Sequence, residues 1–235
     1  MADAELAADR GPVERLVHPA LQLSRRGFDI VGGAGTLDRL ARQFASRHAV
    51  HLPGFLAPDV RALVERWLAT AEWDVQIHDQ LDPPSVHLTV RDPALLSFFT
   101  LAMNDRRLVE AVRHIAAIER VGAWEGNFYR MDADCGHHDT WHDDADGNRL
   151  VAITINVSPS PFQGGELSMR VKQGRRPLWT FANVGPGDAL LFRLDRRLEH
   201  WIHDVRGPAP KMAVAGWFQR EPDFWRDLRA APRVS

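Results

Sequence analysis

The chain reads as a mainly β protein with helices gathered toward its N-terminus and a core of the jelly-roll, cupin-like kind. From about Trp124 onward, short apolar runs alternate with Gly, Pro, Asn and Asp punctuation, the texture of a sandwich or barrel built from many short strands. Before that point the apolar residues recur at helical spacing, and the βαβ alternation of a parallel sheet is absent. At 235 residues, 45% of them hydrophobic, the chain is long enough for one such core with a helical buttress.

Residues 1–13 read as a flexible N-terminus and 14–235 as a single domain: a helical buttress over about 14–120, a strand core over about 121–220 and a tail over 221–235. Leu37, Leu40 and Phe44 predict a first helix after the candidate cap Thr36. Val60, Leu63, Val64, Trp67 and Leu68 predict a second after Ala57-Pro58, with proline where a first helical turn accepts it. Asp92-Pro93 opens a third through Leu95, Leu96 and Phe99, and Asp105 precedes a fourth with Leu108, Val109, Val112 and Ile115. The stretch 74–91, with Pro83-Pro84, reads as a mobile loop. In the second half, Leu150–Val157, Glu166–Val171, Leu178–Val184, Ala189–Leu194, His200–Val205 and Lys211–Gln219 read as strands between turns.

The charge balance, 29 basic against 31 acidic residues with a net charge of −2, gives no electrostatic footprint for nucleic acid or an anionic membrane. The lone Cys135 makes an internal disulfide impossible and favours a reducing compartment. No apolar run approaches a membrane span and the first dozen residues do not resemble a signal peptide, so a cytoplasmic protein is expected.

The chemistry concentrates in His142-Asp143-Asp144, just ahead of the strand from Leu150, and in His200, about sixty residues later. In an extended chain residues i and i+2 point the same way, so His142 and Asp144 share a side while Asp143 faces away. Two imidazoles and one carboxylate complete one face of an octahedron and leave three positions open. That set suits ferrous iron that must take a bidentate 2-oxo acid and oxygen together. The carboxylate of Asp144 favours hydroxylation over halogenation, which would need that position free. His137-His138-Asp139 is a competing triplet, but a further loop separates it from the strand; its histidines read as a polar loop or as support for the ligands. His200 and His203 lie on opposite faces of one strand, and parity alone does not choose between them.

Read in order, Phe128-Tyr129-Arg130-Met131, Trp141-His142-Asp143-Asp144, Ile155-Asn156-Val157-Ser158, Gly164-Gly165-Glu166-Leu167, Gly187–Phe192, Leu198-Glu199-His200, Pro210-Lys211 and Gly216-Trp217-Phe218 resemble the iron(II)- and 2-oxoglutarate-dependent dioxygenases, in their prolyl 4-hydroxylase-like branch. The resemblance covers about residues 120–220. It implies a double-stranded β-helix with the metal in its open end, Fe(II) held by His142, Asp144 and His200, and 2-oxoglutarate and O2 as co-substrates. It also implies that Lys211 binds the remote carboxylate of 2-oxoglutarate, where the family more often has arginine. Lys211 is one of only two lysines, the other being Lys172. Tyr129, the lone tyrosine, and Asn156 fall where the family has groups near the co-substrate. Trp217-Phe218 reads as core and Asp188 as a turn residue.

The expected activity is hydroxylation of an unactivated C–H of a small molecule or amino-acid derivative, with release of succinate and CO2. A peptidyl, prolyl-type hydroxylase is the alternative within the class, and a non-catalytic jelly-roll module binding a metal or small ligand is the alternative outside it. A zinc hydrolase fails on spacing, because His137-His138-Asp139-x-x-His142 breaks the His-x-His-x-Asp-His pattern at its second histidine.

Overall fold

The structure is a computed structural model that describes residues 12–79 and 81–230. The expected flexible segment 1–13 lies outside the described residues except for its last two, as does the tail beyond residue 230.

The N-terminal half opens with a hairpin of β1 (Leu21–Ser24) and β2 (Gly27–Ile30), then α1 (Thr36–Arg47), β3 (Ala49–Leu52), α2 (Pro58–Leu68), β4 (Trp73–His78), β5 (Ser85–Val90), α3 (Pro93–Met103) and α4 (Arg106–Ala116). The four expected helices are present. Asp92 caps α3 by accepting the Ala94 and Leu95 amides at 2.9 and 3.0 Å, and Asp105 caps α4 by accepting the Arg107 amide at 2.8 Å. For α1 the N-cap is Gly35 rather than Thr36. The stretch read as a mobile loop is a β-hairpin instead: β4 and β5 pair antiparallel from Trp73↔Val90 to His78↔Ser85. Trp73, Val75 and Ile77 do alternate with Asp74, Gln76 and His78, but Pro83-Pro84 favours a loop reading, and β4 is an edge strand whose Val75 and Ile77 stay exposed. The buttress is therefore mixed, with β3, β4 and β5 built into the main sheet.

The second half supplies β6 (Ala123–Met131), β7 (Arg149–Asn156), β8 (Gln163–Gly164), β9 (Leu167–Val171), β10 (Trp179–Phe181), β11 (Ala189–Arg193), β12 (Leu198–Ile202), β13 (Val205–Arg206) and β14 (Lys211–Gln219), followed by α5 (Phe224–Ala230). Seven strands form one antiparallel sheet in the order β3-β11-β7-β14-β6-β5-β4, faced by a smaller sheet in the order β10-β9-β12. This is the double-stranded β-helix expected from the sequence.

Side-chain alternation on the large sheet creates two cores. On β14, Met212, Val214 and Phe218 join Phe128 of β6 and the helix residues Leu40, Phe44, Phe99 and Ile115 in a layer between sheet and helices. On the other face, Ala152, Leu190 and Phe192 meet Leu167, Met169, Trp179 and Leu198 of the small sheet. The remaining inward positions of β14 are Lys211, Ala213, Ala215 and Trp217, and all four line a cavity left open between the sheets. The two alanines make the room, because larger side chains there would fill it.

Candidate metal centre

The cavity encloses about 490 Å³ and receives side chains from both sheets, from the β4–β5 hairpin and from the segment joining β6 to β7. That segment carries His142, whose backbone pairs with His200 of β12 as a two-residue extension of the small sheet, with N···O distances of 3.0 and 2.8 Å. Residues opposed in this way project to the same side, and the two imidazole centroids lie 4.2 Å apart. Asp144 then closes the group. Its Oδ1 is 3.7 Å from His142 Nε2 and its Oδ2 is 3.5 Å from His200 Nε2. One donor atom from each of the three lies within 4.8 Å of the others.

The chain does not reach this arrangement by a plain extended run. Asp144 has φ +24°, in the left-handed region that aspartate visits more readily than most residues. A strained backbone of this kind costs on the order of 1–3 kcal/mol and persists where the surroundings over-determine it. Here Trp217 Nε1 donates to Asp144 Oδ2 at 2.8 Å, and the Arg149 guanidinium stands 3.8 Å from Oδ1.

The donor set fits a divalent metal. His142 Nδ1 lies 2.7 Å from the Thr140 carbonyl, which makes Nδ1 the protonated nitrogen and leaves the Nε2 lone pair facing the other two ligands. Burial opposes ionisation of Asp144, but the hydrogen bond and charge of His200, the charge of His142 and the Trp217 indole outweigh it and hold the carboxyl well below the usual range. The oxygen donor is thus ionised and ready for a cation.

At the other end of the cavity, Lys211 Nζ donates to the Gly165 carbonyl at 2.6 Å. Burial pulls its pKa down to about 8, with Asp139 and Glu166 acting in the opposite direction. Gly165 sits at φ +65°, and a Cβ there would lie 2.7 Å from Lys211 Cδ. Glycine is required on both counts. Tyr129 of β6 lines the same cavity, with burial and then the Asp144 charge pushing its phenol up to about 12.

Five of the six residues singled out from the sequence for Fe(II) or 2-oxoglutarate, namely His142, Asp144, His200, Lys211 and Tyr129, thus meet in one cavity. Asn156 does not join them. It lies outside the cavity lining, its amide donating to the Gly185 carbonyl at 3.2 Å while its Oδ1 accepts the Ser158 amide at 3.0 Å. Thr154, two residues earlier on the same face of β7, lines the cavity instead. His203 points away from the cavity, with Nε2 2.7 Å from Ser168 Oγ and its ring stacked on Trp201. Trp217, expected in the core, is a cavity residue. Asp139 stands outside the ligand triad and braces it: it accepts from Ser85 Oγ at 2.9 Å, from the Thr140 amide at 2.8 Å and from the Ile202 amide at 3.3 Å. Arg149 and His87 also line the cavity; in the sequence Arg149 falls just ahead of the strand from Leu150 and His87 within the stretch read as a loop, so neither carries a pattern that marks it.

Residues 126–219 match the family model of the 2OG-Fe(II) oxygenase superfamily. Comparison with curated proteins gives no match. Among solved structures, an oxidoreductase of the 2OG-Fe(II) oxygenase family from Burkholderia pseudomallei is 18% identical with a TM-score of 0.62, covering 86% of this chain and 97% of its own. A Pseudomonas putida prolyl-4-hydroxylase is 20% identical with a TM-score of 0.53, covering 79% of this chain and 95% of its own. The non-heme alpha-ketoglutarate-dependent epimerase SnoN from nogalamycin biosynthesis is 17% identical with a TM-score of 0.58, covering 86% of this chain and 92% of its own. At these identities the likeness is one of fold. Among the described residues no helix is long and apolar enough to cross a membrane.

Proposed function

We propose that this chain, whose core is that of a 2OG-Fe(II) oxygenase, oxidises an unactivated C–H of a small molecule or amino-acid derivative, with His142, Asp144 and His200 as metal ligands and Lys211 as the anchor of the co-substrate. Enzymes of the superfamily use Fe(II), 2-oxoglutarate and O2. The metal, when bound, supplies the activation of oxygen, coupled to conversion of 2-oxoglutarate to succinate and CO2.

The observation that carries the reading is the placing of two different binding elements in one cavity: a converging His/Asp/His donor set and, toward the other end, the ammonium of Lys211. A dicarboxylate has need of both. Lys211 neutralises the remote carboxylate where water is scarce, so its charge is worth more there than at the surface. Trp217 and Thr140 hold the ligands in position, and the hairpin of β4 and β5 closes one side of the cavity against solvent. The apolar Leu167, Phe192 and Ile202 beside the ligands leave few competing donors near the reacting centre.

Succinate release tests the reading. Purified protein given Fe(II), 2-oxoglutarate and O2 should release succinate even without a primary substrate, and should release none after His142→Ala or Asp144→Ala. Full succinate production in both variants would defeat the assignment.

A further inference from the structure

Resting on that oxygenase reading, we propose that Arg149 is the recognition group for a carboxylate on the primary substrate, so that the substrate is a small carboxylic acid. Arg149 begins β7 and lines the cavity at the Trp217 end of β14, while Lys211 occupies the other end of the same strand face. Its Cζ lies over the Trp217 indole, 3.6 Å from the ring centroid. The indole is itself fixed by its hydrogen bond to Asp144. One face of the cation is thereby covered, and its N–H edge is the part left for a ligand.

That edge is underused. Among the described residues its ion-pair partners are Asp144 Oδ1 at 3.8 Å and Asp146 Oδ2 at 3.7 Å, both beyond hydrogen-bond length. Asp146 is half exposed, and its Oδ1 is occupied by the Asn148 and Arg149 amides at 2.8 and 3.0 Å. Asp144 would hold the metal in the loaded enzyme and be committed to it. A planar fork whose ion-pair partners stand beyond hydrogen-bond length, backed by an aromatic face inside a cavity, is the arrangement that selects a carboxylate. The two cations then divide the work between two anions: Lys211 serves the co-substrate and Arg149 the substrate.

The position also limits size. Arg149 stands 3.8 Å from a metal ligand, so the anion it holds and the carbon presented to the metal belong to one compact molecule. A chain-internal peptide residue brings no such carboxylate unless its own side chain is acidic.

The test uses the intact protein with Fe(II) and 2-oxoglutarate under anaerobic conditions, following the weak visible charge-transfer band of the chelated metal. L-Proline, L-leucine, L-lysine and hexanoate are titrated in, each paired with its primary amide. At least one acid should perturb the band, with its amide binding about tenfold more weakly or worse, as expected for loss of a charge-assisted pair. In Arg149→Gln the acid-to-amide ratio should collapse toward unity, and Arg149→Lys should restore part of it. A purely structural role for Arg149 would not move that ratio. A band that no acid perturbs, or that acid and amide perturb alike, overturns the inference and leaves the oxygenase reading standing. If the wild-type protein gives no band with Fe(II) and 2-oxoglutarate, the oxygenase reading fails and the inference falls with it.

Discussion

His142 and His200 are bound to each other through both of their backbone groups, N to O at 3.0 and 2.8 Å, before either side chain meets a metal. The separation of the two nitrogen donors is therefore set by β pairing, the most reproducible spacing a backbone offers. Only the oxygen donor, Asp144, depends on an irregular backbone, and it is the ligand with the most outside support.

That support should be measurable. Trp217→Phe keeps an aromatic ring in the cavity and removes the 2.8 Å indole hydrogen bond to Asp144. Affinity for Fe(II), or for Mn(II) as a stable surrogate, should fall about 10- to 100-fold, the usual effect of removing a group that orients a ligand. Anaerobic metal titration reads this directly, and an unchanged affinity would show that Asp144 holds its place without the indole.

Lys211 should make co-substrate binding depend on pH above neutrality. Burial depresses its pKa to about 8, against 10.5 for a free lysine. Only the ammonium attracts the remote carboxylate, so binding is strongest below pH 8 and weakens by about tenfold per unit as pH rises above it. Lys211→Met should bind 2-oxoglutarate weakly and with little change between pH 7 and 9. Equal pH dependence in the wild type and this variant would remove the lysine from the site.

Gly165→Ala should act on the co-substrate although residue 165 presents no functional group. The added methyl would lie 2.7 Å from Lys211 Cδ at a backbone φ of +65°. Left-handed backbone costs a non-glycine residue roughly 1–2 kcal/mol, and displacing the lysine stem should raise the half-saturation concentration for 2-oxoglutarate about tenfold. Steady-state succinate release against 2-oxoglutarate concentration checks it. A stability loss with unaltered half-saturation would mean that the lysine tip recovers its place.

The layer between helices and sheet turns on Phe99 of α3 and Phe128 of β6, both fully buried, with ring centroids 4.9 Å apart in an edge-to-face contact. Phe99→Ala should lower unfolding free energy by about 3–5 kcal/mol, the range for emptying a large aromatic site in a packed core. Denaturant unfolding followed by tryptophan fluorescence would show it as an earlier midpoint at similar slope.

The candidate metal ligands and the lysine are readable in the sequence because each lies in or beside a short motif with fixed spacing. Spacing to the partner strand and family resemblance favour His200 over His203, and the structure gives the physical basis: His200 is opposed to His142 across the backbone, while His203 is tied to Ser168 on the outside. The β4–β5 hairpin carries the period-2 alternation of strands, with Val75 and Ile77 on β4 and Val86, Leu88 and Val90 on β5, but Pro83-Pro84 between them reads as loop punctuation and masks it. Arg149 and Asp139 were missed for a different reason. Their importance comes from what faces them across the cavity, and a residue's opposite number is set by register rather than by local pattern. Asn156 illustrates the converse: it has the right strand and the right parity, but it lies beyond the end of the cavity, in a turn that claims both ends of its amide.

Lys211, Ala213, Ala215 and Trp217 share one side of β14, so the lysine and the indole that carries Arg149 are separated by whole dipeptide steps of about 6.6 Å. Lineages that lengthened or shortened this strand by a single residue would turn one of them into the helical layer and bring an apolar neighbour out in its place. Changes of two residues would keep both facing inward and merely stretch or shrink the distance between them. Reach along this barrel is accordingly adjustable only in coarse increments, with finer tuning left to the bulk of the two alanines in the middle.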